Sequence, residues 1–466
     1  MEFLELLDFN TVFLDKHELY KTIANDPLKK ADALLNIISP RKQKALIYAG
    51  TYAEINKVAA LVTERMDVVD RRHTTHFARW LRQNYHSTWL LADLAERGVG
   101  VHNGRMHRCL SQLQVRLFEH EKGFDTIIST SSIIEGVNTS AQNVIVWKSK
   151  IGRNNLKDFT YKNIIGRAGR MFKHFVRNIY LLDAPPKDED THLQIEFPDS
   201  ILGTLDETQD RASLTDKQIE RIVDYKLQMS DIIGADNYAR LKKENLLQDS
   251  DGDFLLSLAK DMRDNRVDWA DFAFLNSSSP SDWERMLYKV IGLKPSGWDA
   301  PYSKVVSVTK ALSKNWAAEI PAILDGLSSQ GIGIEEFFQL ERTVTFKLAA
   351  LLSDTNELHK ILVNPAVDIG GFIGRVSHAF LPPAVYHLEE YGLPRMISRK
   401  LHRAGIINFT ENDLDLRHAL SILKSRGLDL ILNVDTLSAF DKYVIRFFFD
   451  GVSPEDHAPT TVPAAP

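Results

Sequence analysis

Short apolar blocks alternate with longer stretches of helical spacing over the first 186 residues. Residues 45–49 (ALIYA), 99–102 (VGVH), 126–130 (TIIST), 143–147 (NVIVW) and 178–182 (NIYLL) read as strands buried on both faces. Between the first two, Ile55, Val58, Ala59 and Val62 recur at helical intervals and predict a helix over 52–65. A longer helix is predicted over 74–97, and Leu110, Leu113 and Leu117 mark another over 107–121. Strands alternating with helices predict an α/β fold, a mainly parallel sheet with helices on both faces. Such sheets carry their sites on loops leaving the carboxyl ends of the strands. The loops after Ala49, His102 and Thr130 stand out.

Beyond Pro185-Pro186 the pattern changes. Residues 187–260 hold 17 Asp or Glu against 9 Lys or Arg, the balance of a solvated helical surface, with helices predicted over 215–230 and 253–264. Gly and Pro near 292–302 mark a break. Further helices are predicted over 302–315, 334–354, 381–391, 394–404, 411–426 and 436–449, so the carboxyl-terminal region reads as mostly α-helical. The domain boundaries expected from these shifts are 1–40, 41–186, 187–300, 301–455 and a disordered Pro- and Ala-rich tail, 456–466.

Composition narrows the classes. With 44% hydrophobic and 26% charged residues, the 466-residue chain is of the globular type. No apolar run reaches the roughly 18 to 20 residues of a membrane span, so no membrane partner is expected. The opening MEFLELLDFN lacks the basic start of a secretory signal. The single cysteine, Cys109, cannot form an internal disulfide or a thiolate metal site; a cytoplasmic location is expected. The formal net charge is −5, so any nucleic-acid affinity must sit in a local patch.

That patch exists. Between residues 148 and 180 there are nine Lys or Arg against one acid, Asp158. Within it lies Asn163-Ile164-Ile165-Gly166-Arg167-Ala168-Gly169-Arg170. Two arginines three residues apart share a helical face, and the glycines keep that face low for a second domain. Guanidinium groups stay charged and grip phosphate oxygens in a fork, which suits a phosphoryl group in transfer. A second segment, Ile127 through Thr139, is an apolar strand emptying into hydroxyls and a Gly-Val-Asn turn, the chemistry of a phosphate contact or of an ordinary helix cap. A third, Val101-His102-Asn103-Gly104-Arg105, is a strand end followed by a basic turn. In the helical region Arg395, Arg399 and Arg403 recur every four residues, predicting either a strand-tracking basic stripe or a solvated helix face. His73, His76 and His86 lack companion ligands at metal spacing, and no metal site is expected.

The order of these segments over residues 41–186 resembles the second RecA-like domain of superfamily-two helicases, the Ski-type DExH-box branch. Ala45–Thr51 is similar to motif IV, His102–Arg105 to the turn of the HHAGL type, Thr130–Asn138 to motif V and Gly166–Arg170 to motif VI. The resemblance implies catalytic arginines at Arg167 and Arg170, and nucleotide or interdomain contacts at Gly136, Val137, Asn138, Asn163 and Gly166. Asn163 stands where the family carries Gln. It implies nucleic-acid contacts at Gly50, Thr51, His102, Asn103, Arg105, Thr130 and Ser131, with Arg395, Arg399 and Arg403 as candidates on a bundle helix. Residues 1–40 would be the connector from a first RecA-like domain, 187–300 a helical region able to hold a winged helix, and 301–455 a helical bundle.

A complete motor also needs a phosphate loop, G-x-x-x-x-G-K-[ST], and no Gly-Lys pair occurs in this chain. The expectation is therefore the carboxyl-terminal half of an ATP-dependent helicase or translocase, inactive alone. ATP and Mg²⁺ would be shared with a first RecA-like domain, fused or separate. The expected partners are single-stranded nucleic acid with an adjoining duplex, RNA or DNA, and a protein on the helical region. The alternative is a non-catalytic nucleic-acid-binding or scaffold module derived from a helicase.

Overall fold

The computed structural model describes residues 13–130, 141–151, 154–157, 160–162, 164, 176–186, 205, 210–211, 214–295, 297–411 and 414–452. The chain divides into two compact units. Unit 1 comprises Met1–Asp190, Glu319–Pro321 and His387–Pro466, and unit 2 comprises Thr191–Ala318 and Ala322–Tyr386.

Unit 1 is built on a six-stranded sheet. Its strands are β1 (Phe13–His17), β2 (Ala45–Tyr48), β3 (Val99–His102), β4 (Thr126–Ser129), β5 (Asn143–Val146) and, after the two-residue hairpin strands β6 (Lys150–Ile151) and β7 (Asn154–Asn155), β8 (Val176–Leu181). The order is β1-β8-β5-β2-β4-β3, and every neighbouring pair is parallel. Every residue of β2, β3, β4 and β5 is buried, which is why these strands read as unbroken apolar blocks rather than alternating ones. β1 is the edge strand beside β8. Residues 13–17 therefore extend the sheet, within the segment expected only to connect. Its polar Asp15, Lys16 and His17 kept it from reading as a strand.

The helices of unit 1 follow from caps and spacing. α1 (Tyr20–Ile23) is a single turn. α2 (Pro27–Ile38) starts where the Asp26 carboxylate accepts from the Leu28 and Lys29 amides, with Pro at the first helical position, and buries Ala31, Leu34, Leu35 and Ile38. α3 (Tyr52–Arg65) is capped by Thr51 and buries the four residues that predicted it. The stretch expected to be one helix over 74–97 is two, α4 (Arg72–Asn84) and α5 (Leu90–Glu96). Tyr85 leaves helical geometry, and the His86 ring accepts from the Thr88 amide, closing a turn between them. α6 (Arg108–Glu119) buries Leu110, Leu113 and Leu117 as predicted.

The chain's last helices belong to this unit too. Buried Asp441, fully out of solvent, accepts from the Trp80 indole at 2.8 Å and from Lys400 at 2.6 Å. It also accepts the Ser438 amide at 2.7 Å. A carboxylate buried this deep is stable only because each oxygen is matched.

The described residues of unit 2 are helical or irregular, and none of them lies in a strand. Asp216–Ile233 and Gly252–Asp264 match the predicted helices closely. The helix expected over 334–354 runs further, from Ile334 to Leu362, through a widened turn at Thr343–Leu348. Its core holds Trp269, Trp283, Phe272, Phe337 and Phe372, with the Trp283 and Phe380 rings stacked.

Replacing Asp441 by Ala strands the indole N–H and the Lys400 ammonium. Loss of about 3 kcal/mol or more of unit 1 stability is expected, read as a lowered urea midpoint by tryptophan fluorescence. An unchanged midpoint would refute the role given to this carboxylate.

Candidate functional site

The parallel arrangement delivers all six strand ends to one edge. There β2, β4 and β3 are consecutive, so the loops beginning at Ala49, Thr130 and Asn103 lie side by side. The Ala49 amide donates to the Ser129 carbonyl at 2.8 Å, and the Thr130 amide to the His102 carbonyl at 3.3 Å. These bonds tie the three loops together.

Each loop has its own local logic. Gly50 has φ +81°, and a Cβ there would lie 2.2 Å from the Lys150 carbonyl oxygen, so only glycine fits between β2 and the 148–150 backbone. Thr51 follows, and its hydroxyl accepts from the Glu54 amide at 3.2 Å to start α3. Asn103 is buried, and its side-chain oxygen accepts from the Arg105 and Met106 amides at 2.9 and 3.2 Å, fixing the basic turn. Arg105 then lies with its guanidinium 3.7 Å from the centre of the Tyr52 ring. This stack joins the β2 and β3 loops, setting a guanidinium against an aromatic face. His102 is buried, and burial pulls its imidazole down to about 4, so it is neutral at physiological pH.

Of the residues assigned to nucleic-acid contact, Gly50, Thr51, His102, Asn103, Arg105 and Thr130 thus come to one edge. Ser131 and the nucleotide and catalytic candidates Gly136, Val137, Asn138, Asn163, Gly166, Arg167 and Arg170 lie outside the described residues. Tyr52 was not singled out in the sequence. Its position directly after Thr51 was the available signal, but its partner is far away in the chain.

The basic stripe expected at Arg395, Arg399 and Arg403 needs correction. On the helix Arg395–Arg403, Arg395 is 2% exposed and Arg399 3% exposed. Arg395 donates to Glu389 Oε2 at 2.8 Å from Nε and 2.5 Å from Nη2, and its Nη2 lies 3.3 Å from His107 Nε2. Burial lowers the Arg399 guanidinium to about 10. Arg403 alone reaches the surface, 3.8 Å from Glu319. The four-residue spacing therefore marks an inward helix side, with a buried carboxylate as counter-charge, and not a solvent-facing track.

Fold and edge together define an α/β chain with an all-parallel sheet, whose carboxyl-terminal edge gathers amide, hydroxyl, imidazole and guanidinium groups, and a helical carboxyl-terminal region. No known protein-family model matches the chain. Anti-bacteriophage protein B of Escherichia coli (strain K12) is 33% identical over 198 residues, 42% of this chain and 26% of that protein. The match thus spans about a quarter of that relative's length.

Two outcomes follow from this geometry. Gly50→Ala must force Cβ against a backbone carbonyl and an alanine into left-handed φ. A loss of about 2 kcal/mol or more is expected, measured by urea denaturation, whereas Ala53→Gly, on the exposed side of α3, should cost about 1 kcal/mol. For His102, the folded pKa of about 4 lies below the ordinary 6.5. The unfolded chain therefore binds the proton first, and stability present above 6.5 is lost as pH falls towards 4. Between pH 7 and pH 5 the native chain should lose about 2 kcal/mol that His102→Gln does not. Parallel pH profiles for the two proteins would disprove this.

Proposed function

We propose that this chain is the carboxyl-terminal half of an ATP-dependent nucleic-acid helicase or translocase, working in the cytoplasm. One observation carries the reading. Three segments that resemble helicase motifs in sequence order, at Gly50–Thr51, His102–Arg105 and Thr130, lie on adjacent strand ends of one parallel sheet. Adjacent strand ends are where a single strand's backbone could be followed from one loop to the next. The stacked Arg105 and Tyr52 offer a charge for a phosphate and a ring for a base. Thr130 and the amides beside Gly50 are of the type that position phosphates without reading sequence.

ATP is the substrate in this reading, and Arg167 and Arg170 are the groups nominated to neutralise the transferring phosphoryl group. The groups gathered on the described edge are amide, hydroxyl, imidazole and guanidinium, which suit phosphate oxygens. Mg²⁺ prefers carboxylate oxygens, and among the described residues no group of three or more His, Cys, Asp or Glu is placed to hold a metal. In the resemblance the ion would be held by a domain carrying a phosphate loop and a DExH box. The similarity to Anti-bacteriophage protein B suggests defence against bacteriophage as the setting.

The test supplies a first RecA-like domain, fused or in trans, and measures ATP hydrolysis with and without single-stranded RNA or DNA. Strand-stimulated turnover is expected, and Arg170→Ala should lower kcat by about 10³-fold. Strand binding without turnover in every combination would instead support the non-catalytic clamp or scaffold.

A further inference from the structure

At the opposite end of the same sheet edge, the loops after β1, β5 and β8 enclose a cavity of about 510 Å³ with α2 and α3. That volume falls within the range of small-ligand sites, roughly 300 to 1,000 Å³. Its charged lining is Lys30, Glu54, Lys57, Lys148 and Asp183, and its apolar wall includes Tyr20, Ile23, Pro27, Leu61 and Leu182 beside Trp147.

The charges are unevenly matched. Glu54 accepts from Lys57 at 2.7 Å and from the Trp147 indole at 2.8 Å. Asp183 accepts from the Ser149 amide at 2.8 Å and faces Lys148 at 3.4 Å. Both carboxylates are thus engaged. Lys30 is not: among the described residues no carboxylate lies within ion-pair distance of it, and its ammonium sits 4.4 Å from the centre of the Trp147 ring. Burial holds its pKa below the usual lysine value, only partly offset by Asp183 and Glu54. Three ammonium groups against two carboxylates leave one positive charge for a ligand to meet.

A second observation concerns the wall. Ala24 and Asn25 are consecutive non-glycine residues at φ +49° and +65°. Ala24 takes this geometry in closing α1, and such conformations outside glycine also collect at ligand clamps. Here both residues line the cavity.

We propose that this cavity binds a nucleoside monophosphate, its phosphate beside Lys30 and its base on the apolar wall, either free or as the phosphorylated terminal nucleotide of a strand. A sugar phosphate without a base would leave the apolar wall of Tyr20, Ile23 and Leu182 uncovered. A triphosphate would press extra negative charge on Glu54 and Asp183. The monophosphate satisfies the unmatched ammonium and uses the aromatic wall.

The experiment is calorimetry on the full chain with AMP, adenosine, inorganic phosphate, and an oligonucleotide with and without a 5′ phosphate. AMP should bind at least about tenfold more tightly than adenosine or phosphate, about 1.4 kcal/mol. Lys30→Gln should remove that advantage and Lys30→Arg should keep it within a few fold, with both variants unfolding at the native urea midpoint. A strand-end ligand would appear as a tenfold preference for the phosphorylated oligonucleotide over AMP, also lost in Lys30→Gln. The proposal is overturned if neither AMP nor the phosphorylated strand binds at millimolar concentration, or if Lys30→Gln binds as the native chain does. No first domain and no ATP turnover enters the measurement, so its outcome is separate from that of the helicase reading.

Discussion

An all-parallel sheet imposes one constraint from which the rest of unit 1 follows. No strand can turn back directly on its neighbour, so every connection must cross over the sheet, and every strand exits on the same edge. Polar loop residues separated by dozens of positions are thereby brought into one row. Gly50, Asn103 and Thr130 become neighbours because β2, β3 and β4 run alike, not because any local pattern joins them. The same constraint puts Trp147, Asp183 and Tyr20 around the cavity at the other half of the edge.

What the sequence made legible was whatever depends on near neighbours. The central strands announced themselves because burial on both faces leaves no polar alternation, and α3 was bounded correctly because Thr51 caps it and four apolar residues share one side. The Asn103 turn was also readable, since its side chain bonds amides two and three residues on, whereas the need for glycine at Gly50 comes from the distant Lys150 carbonyl. What could not be read depends on distant partners. The Arg395–Arg403 helix looked like a solvent-facing stripe because nothing nearby shows how Glu389 and His107 surround Arg395. The Arg105–Tyr52 stack and the Lys30–Trp147 pair each join residues from separate crossovers. β1 was missed because an edge strand may be polar and still bond.

Electrostatics divides the unit into two regimes. Deep in the carboxyl-terminal helices, Asp441 and Glu389 have their cations in place, and their role is to hold elements in register. Along the sheet edge two cations are met by aromatic rings instead, Arg105 by Tyr52 and Lys30 by Trp147, while Lys57 and Lys148 face Glu54 and Asp183. A ring positions a cation without neutralising it, leaving the charge available to an incoming anion. That contrast is the physical reason for looking to the edge, and not to the arginine-rich helix, for ligand contacts.

Unit 1 is discontinuous in the chain: unit 2 intervenes between Asp190 and His387. On a ribosome, the sheet and α4 emerge long before the residues that cover Trp80 and Phe77. Until Phe440 and Asp441 are synthesised, that aromatic surface stays uncovered and open to chaperones. Nascent chains of this protein should therefore depend on such help late in synthesis, and trimming the final helices would leave a sticky half-built domain rather than a shorter one.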